Sequence, residues 1–544
     1  MGETIIYRAR RIITMDRNRP QATHVAVRNG RILAVGGSDC ADAWGGGKQD
    51  DRFADAVLLP GFVEGHAHMM AGAMWAYFYA GFQDRIDPDG RTWPGLTNID
   101  EVIFGLKNAA AGLQKDAPLI AWGFDPIFLP TERLNRRHLD AVSTDRPIVV
   151  LHSNFHLMTV NSAALAMVGY NRESNAEGIV RDRDGEPNGE LQEMAVMFPL
   201  MRRLGIDFRE LARTPSAVSG FARTAMRTGV TTAADLFADL TDNDLADLLA
   251  ITGKDDFCLR IAPALSGVTE TGEATATRIA ELKSRSTDKV RLGMVKLMAD
   301  GSIQGYTARL KWPGYVTGHP NGIWNTPPER LSAQIECLHA AGINLHIHVN
   351  GDEASEAAID ALEAAMRKHP RGDNRHTLQH CQMACEAQYR RMKALGLCVN
   401  LFANHIWYFG DQHYTLTMGP ERAERMDACR SAIDAGVPLA IHSDAPVTPM
   451  GPLHVAWCAV NRVTPGGRVL GQEQCITVQQ ALHAITLGPA YSMKLDGEIG
   501  SIEVGKRADF AVLGDDPLAV DPMELKNVPV LGTVLGGRTF LAGK

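Results

Sequence analysis

The chain has 544 residues, 45% of them hydrophobic, and its 55 basic and 63 acidic side chains leave a net charge of −8. That length supports a buried core of two or more lobes. The acidity is spread along the chain without a basic block, which speaks against nucleic acid or a membrane surface as a partner. Glu3, Arg8, Arg10, Arg11 and Asp16 interrupt any apolar signal-peptide core, no later stretch approaches a membrane-spanning length, and Ile6 stands where myristoylation needs Ser or Thr. A cytoplasmic location is expected. Nine cysteines are scattered without a C-x-x-C pair and read as reduced core residues.

In chain order, short β runs come first, at 5–9, 12–14, 24–28 and 31–35, with Asn29-Gly30 as a hairpin turn. Further β-like runs then alternate with amphipathic stretches such as 328–341, 353–368 and 420–435, which favours a parallel α/β architecture. Eight runs are candidate barrel strands: 57–63, 230–236, 259–265, 290–298, 343–349, 376–380, 398–402 and 438–442. They fit a (β/α)8 TIM-type barrel over 57–497, whose catalytic groups belong at the C-terminal strand ends. The stretch 69–216 is an insertion after strand one, either a lid or a small extra domain, with 148–152 as another strand candidate. The β pattern returns at 499–502, 510–513, 528–531 and 539–541, so residues 1–56 and 498–544 are expected to form one discontinuous β-sandwich domain.

The chemistry gathers at the expected strand ends. His66 and His68 are spaced i, i+2, so in an extended strand both side chains face one side and reach one metal ion. Lys296 ends strand four, His348 strand five with His346 as its rival, and His380 strand six; Asp444 follows strand eight. These are residue types found around hydrolytic metals. The bland alternatives are a helix N-cap for Asp444 and a salt-bridge partner for the lysine. Aromatic residues after the His-x-His pair, including Trp75, and Trp407 beyond strand seven either line an apolar pocket or form the core of a lid. No G-x-S-x-G elbow, P-loop or strand-borne G-x-G-x-x-G supports a serine hydrolase, nucleotidase or dehydrogenase.

The chain resembles the amidohydrolase superfamily, in particular the branch of N-substituted formamide deformylases. The resemblance rests on PGFVEGHAH (60–68), GVTTAAD (229–235), VKLMADGS (295–302), HVNGDEA (348–354), LQH (378–380), HSDAPV (442–447) and GSIEVGKRADF (500–510), and on insertion segments such as HLMTVNSAAL (156–165) and DGEPNGELQE (184–193). It implies one or two divalent ions, zinc expected, on His66, His68, Lys296, His348, His380 and Asp444, with Lys296 carboxylated to a bridging carbamate. It further implies Asp444 as proton shuttle, His405 as an aid to the oxyanion, and His156 and Glu193 facing the substrate. The expected activity is hydrolysis of an amide, formamide or related C–N bond in a small apolar or aromatic molecule. Deamination and a non-catalytic scaffold are the alternatives, and self-association is left open. Two positions depart from the family pattern: Glu64 stands where Asp is usual, and His442 where Gly is common. His442 either enters the site or faces outward.

Overall fold

The computed structural model describes residues 2–129, 132–268 and 270–542; Gly543 and Lys544, at the end of the expected terminal domain, lie outside the described residues. Eight parallel strands, Phe62–Ala67, Val230–Ala238, Arg260–Ser266, Met294–Met298, Asn344–Val349, Thr377–His380, Cys398–Leu401 and Leu439–Ile441, pair in chain order. The last closes on the first through a parallel bridge, Ala67 to Ala445, in which the His68 N–H donates to the Ala445 carbonyl at 2.8 Å. The expected barrel is therefore present, with helices such as Pro328–Ala340 and Asp352–Lys368 packed around it.

The first strand differs from its expected span. Residues up to Pro60 belong to a 13-residue strand, Lys48–Pro60, of another sheet, and the barrel strand starts after Gly61. Pro60 has no N–H with which to continue a ladder. A Cβ on Gly61 would lie 2.0 Å from the Thr231 hydroxyl, so only glycine lets the chain pass this close to the second strand.

Lys48–Pro60 pairs in parallel with Ile5–Ile13 and antiparallel with Phe510–Leu513. Both ends of the chain thereby enter one continuous seven-stranded sheet, which also takes Gln21–Arg28, Arg31–Gly36, Val530–Leu535 and Arg538–Leu541. Asn29 and Gly30, at φ 52° and 73°, make the expected turn. The 499–502 run forms no strand; Ile499 and Ile502 are buried in neighbouring cores instead.

The insertion has its own six-stranded mixed sheet, ordered Ile179–Arg181, Pro187–Gln192, Leu157–Val160, Ile148–His152, Leu119–Phe124, Phe78–Tyr79. Successive side chains alternate between its faces. Trp122, Leu151, Met158 and Leu191 pack on one side, and Ala121 and Val150 pack with Leu106 on the other. Among the described residues, no helix is long and apolar enough to cross a membrane.

Candidate active site

In Asn344–Val349 every residue is buried, yet polar and apolar side chains alternate. Leu345, Ile347 and Val349 join the main core, which leaves Asn344, His346 and His348 for the barrel interior. The same alternation places Gln379 beside Leu378 and Asn400 beside Val399 on the inner face. Polar groups buried there must pair. The Gln379 Oε1 accepts from His66 Nδ1 at 2.8 Å and Asn400 Nδ2 at 2.9 Å, while its Nε2 donates to His346 Nδ1 at 2.7 Å. His346 Nε2 donates in turn to Asn344 Oδ1 at 3.0 Å. His346 thus has both nitrogens engaged, and His66 is held in the tautomer that leaves Nε2 free.

The six expected ligand residues meet at the strand ends. His66 Nε2 and His68 Nε2 lie 3.4 and 3.2 Å from the same oxygen, Asp444 Oδ1. Lys296 Nζ is 3.2 Å from His66 Nε2, and His380 Nδ1 is 3.9 Å from Asp444 Oδ2. The His348 ring sits 4.5 Å from that of His380, and its Nε2 donates to the Gly301 carbonyl at 3.1 Å, freeing Nδ1. His380 and Asp444 adopt left-handed backbone, φ 67° and 52°. Such strain costs a non-glycine residue on the order of 1–3 kcal/mol and clusters at functional sites.

These residues fit a divalent cation. The ligand atoms of His66, His68 and Asp444 lie within 4.8 Å of one another. Asp444 Oδ1 and His380 Nδ1 are buried without a hydrogen-bond partner, although two imidazole nitrogens approach the carboxylate. A buried carboxylate oxygen on which two imidazole nitrogens converge is a donor set that a cation can hold, and mixed imidazole and carboxylate donors suit zinc. Burial pushes His66, His348 and His380 well below the usual imidazole range, so their lone pairs are available. Burial opposes ionisation of Asp444, but His66 and His68 hold its carboxyl well below the usual carboxylate range. Burial lowers the Lys296 amine to about 7 against the pull of Asp444.

Glu64 does not touch the His66 ring. Its carboxylate accepts from the His66 N–H at 3.2 Å and from the Ser443 hydroxyl at 2.6 Å, tying the first strand to the segment that carries Asp444. Burial raises it to about 7. His442 faces inward, stacked between His66 at 4.6 Å and Phe402 at 5.0 Å, which removes the outward-facing alternative.

A cavity of about 520 Å³ opens onto all six residues, and His156 lines it from the insertion. His156 Nδ1 donates to Glu193 Oε2 at 2.8 Å, and Asn325 Nδ2 donates to the same oxygen at 2.9 Å. Burial works against a charged His156, yet Glu193 raises it above the usual imidazole value. Glu193 itself has φ 69°, and a Cβ on Gly301 would lie 2.1 Å from its Oε1. The close fit needs a glycine there.

Four expected residues lie outside the cavity lining, the first being Glu193, which stands behind His156. His405 pairs with Asp427 at 3.2 Å and packs on Phe402 at 4.1 Å, outside the cavity lining. Trp75 packs on Trp122, Tyr79 and Trp93 in the insertion core. Trp407 packs edge-on to Trp457 at 5.3 Å, with the Lys526 ammonium 4.5 Å from its ring centre. For both tryptophans packing satisfies the ring, and the cavity takes its apolar wall from Met194, Met197, Phe198 and Met201 of the helix Met194–Arg203, with Phe155 and Met298. That wall was missed, although Met194, Met197 and Met201 are spaced i, i+3, i+7 on one helix face. Gln379 was missed as well; its signal is an amide inside an otherwise apolar strand.

An eight-stranded parallel barrel with imidazole and carboxylate donors at its C-terminal strand ends defines the class of metal-dependent hydrolase barrels. The chain belongs to the amidohydrolase family, whose sequence profile matches residues 54–540. It is 27% identical to the N-substituted formamide deformylase of Arthrobacter pascens over 96% of each chain. The structure resembles an uncharacterized metal-dependent hydrolase from Pyrococcus horikoshii OT3, with a TM-score of 0.71 at 20% identity over 95% of this chain and 99% of that one. It also resembles the zinc complex of the atrazine chlorohydrolase TrzN from Arthrobacter aurescens TC1, with a TM-score of 0.53 at 15% identity over 99% and 95% of the two chains.

Proposed function

We propose that the protein hydrolyses a C–N bond, in an amide, formamide or related group, of a small molecule carrying an apolar or aromatic substituent. The observation behind this reading is the convergence of His66, His68, Lys296, His348, His380 and Asp444 on one cavity with an apolar wall. His66, His68 and Asp444 would hold one zinc ion, His348 and His380 a second, and Lys296 as a carbamate would join the two. When bound, such ions supply a water acidified to a pKa of about 7 and polarise a carbonyl oxygen. The chain's own groups do the remainder. Asp444, held ionised, takes the proton from the attacking water and returns it to the departing nitrogen, without which an amide nitrogen leaves very poorly. His156, steadied by Glu193, presents its second nitrogen to polar atoms of the substrate, and the methionine helix receives the apolar group.

The formamide deformylase relative supports the bond type, and the zinc-bound TrzN structure supports the metal. No nucleic acid or membrane partner is proposed. The test is a hydrolysis screen of zinc-loaded protein against N-formyl, N-acyl, lactam, carbamate and ester panels with graded apolar groups. Turnover of apolar formamides or amides that disappears on chelation and returns with zinc is expected. Inactivity on every panel in a protein that holds less than about a tenth of an equivalent of metal would favour a scaffold instead.

A further inference from the structure

His442 sits at the strand ends, and the reading above gives it no task. Its side chain is 1% exposed, and neither ring nitrogen has a hydrogen-bond partner. A buried, unpaired donor and acceptor are costly, and native cores rarely leave both on one ring. The ring lies 4.6 Å from His66 and 5.0 Å from His380, and the ligand nitrogens of His66, His380 and His442 lie within 4.8 Å of one another. His380 Nδ1 is also unpaired. The His442 nitrogens and His380 Nδ1 thus have unmet bonding capacity beside His66 Nε2, which has Lys296 Nζ at 3.2 Å, and His442 lies just past the last strand, two residues before Asp444.

We propose that His442 is a metal ligand, and that with His66 and His380 it forms an all-imidazole site in the barrel throat beneath the His66, His68 and Asp444 group. The inference rests on the metal-dependent reading of the site and adds a position to it. Because Gln379 engages Nδ1 of His66, the single free Nε2 serves either group but not two ions at once. The all-imidazole seat takes His66 from one of the two seats proposed above and His380 from the other, so it is a single-ion alternative to that pair. Neutral imidazoles without a carboxylate favour zinc, copper and nickel over magnesium, calcium and manganese.

Two substitutions separate ligation from packing. His442→Phe keeps a flat ring between His66 and Phe402 but offers no lone pair. His442→Cys abandons the stack but supplies a thiolate, itself a zinc ligand. Zinc affinity is read by competition with a chromophoric chelator, the number of bound imidazoles by X-ray absorption, and the fold by thermal melting. Ligation predicts that His442→Phe melts normally, binds zinc roughly tenfold or more weakly and shows one imidazole fewer, whereas His442→Cys retains zinc through a sulfur. A His442→Phe protein that matches the wild type in affinity and imidazole count would overturn the assignment and leave the hydrolase reading intact. A wild type that takes up no zinc would overturn both.

Discussion

The strand ends of the barrel and the insertion that covers them contribute to one cavity by different physics. At the strand ends the side chains are polar, buried and held in place by hydrogen bonds to one another, as in the Gln379 set. The insertion supplies an apolar wall, Met194, Met197, Phe198 and Met201, beside a polar lining of Asn154, His156, Arg202, Asp207 and Glu210, with Glu193 holding His156 from behind. Chemistry that needs fixed lone pairs sits on a closed sheet, whose backbone pairing leaves little freedom. Recognition that needs adaptable apolar surface sits on a helix rich in methionine, an unbranched side chain that fills irregular space. If this division is correct, changes at the strand ends should alter turnover and metal content, and changes in the wall should alter substrate preference.

The largest effect is expected at Asp444. Asp444→Asn removes the proton acceptor and weakens a ligand while conserving shape, so turnover should fall by roughly 10²–10⁴-fold with little change in melting temperature. Steady-state kinetics and a thermal melt decide it. Near-normal turnover would take Asp444 out of the mechanism.

Lys296→Ala tests the next element. Should the carbamate join two ions, metal content and activity fall together, and acetate partly restores both by filling the vacated space. Elemental analysis with and without acetate reads this directly. Full activity in Lys296→Ala would dismiss the two-ion arrangement but not a single-ion hydrolase.

Gln379→Leu probes support for the site without removing a ligand. The amide holds His66 in the tautomer with Nε2 free, and losing such a partner typically weakens metal affinity by roughly 10–100-fold. Chelator competition is the measurement. An unchanged affinity would mean that packing alone orients His66.

How much of this was legible in the sequence follows the same division. The eight barrel strands were readable because each is a short apolar run next to a helical stretch, and most of the ligand residues because they stand at or just beyond the ends of those runs, whereas Lys296 lies in the middle of its strand. The boundary at Pro60-Gly61 was not, since apolar residues continue across it and only the tertiary approach to Thr231 ends one strand and starts the next. Gln379 was hidden because an amide inside a barrel gains its meaning from partners on three other strands, at positions 66, 346 and 400. Trp75 and Trp407 were ambiguous because a large aromatic ring suits a pocket wall and a packed core equally. Their neighbours in space, Trp122 and Trp457, come from segments 47 and 50 residues further along the chain.

That ambiguity yields the finest test of the comparison, a pair of substitutions within the insertion. Met197 lines the cavity, whereas Trp75 packs on Trp122 away from it. Met197→Ala removes apolar surface from the substrate's side, at about 0.8 kcal/mol for each buried CH2. The kcat/KM for an amide with a long apolar group should therefore drop roughly tenfold, while that for N-methylformamide barely changes. Trp75→Ala should instead lower stability, by on the order of 1–3 kcal/mol for a half-buried ring, and leave both values of kcat/KM within about twofold. Measuring kcat/KM on the two substrates and a melting curve for each variant gives the answer. If Trp75→Ala discriminates between the substrates and Met197→Ala does not, the wall has been drawn on the wrong side of the insertion.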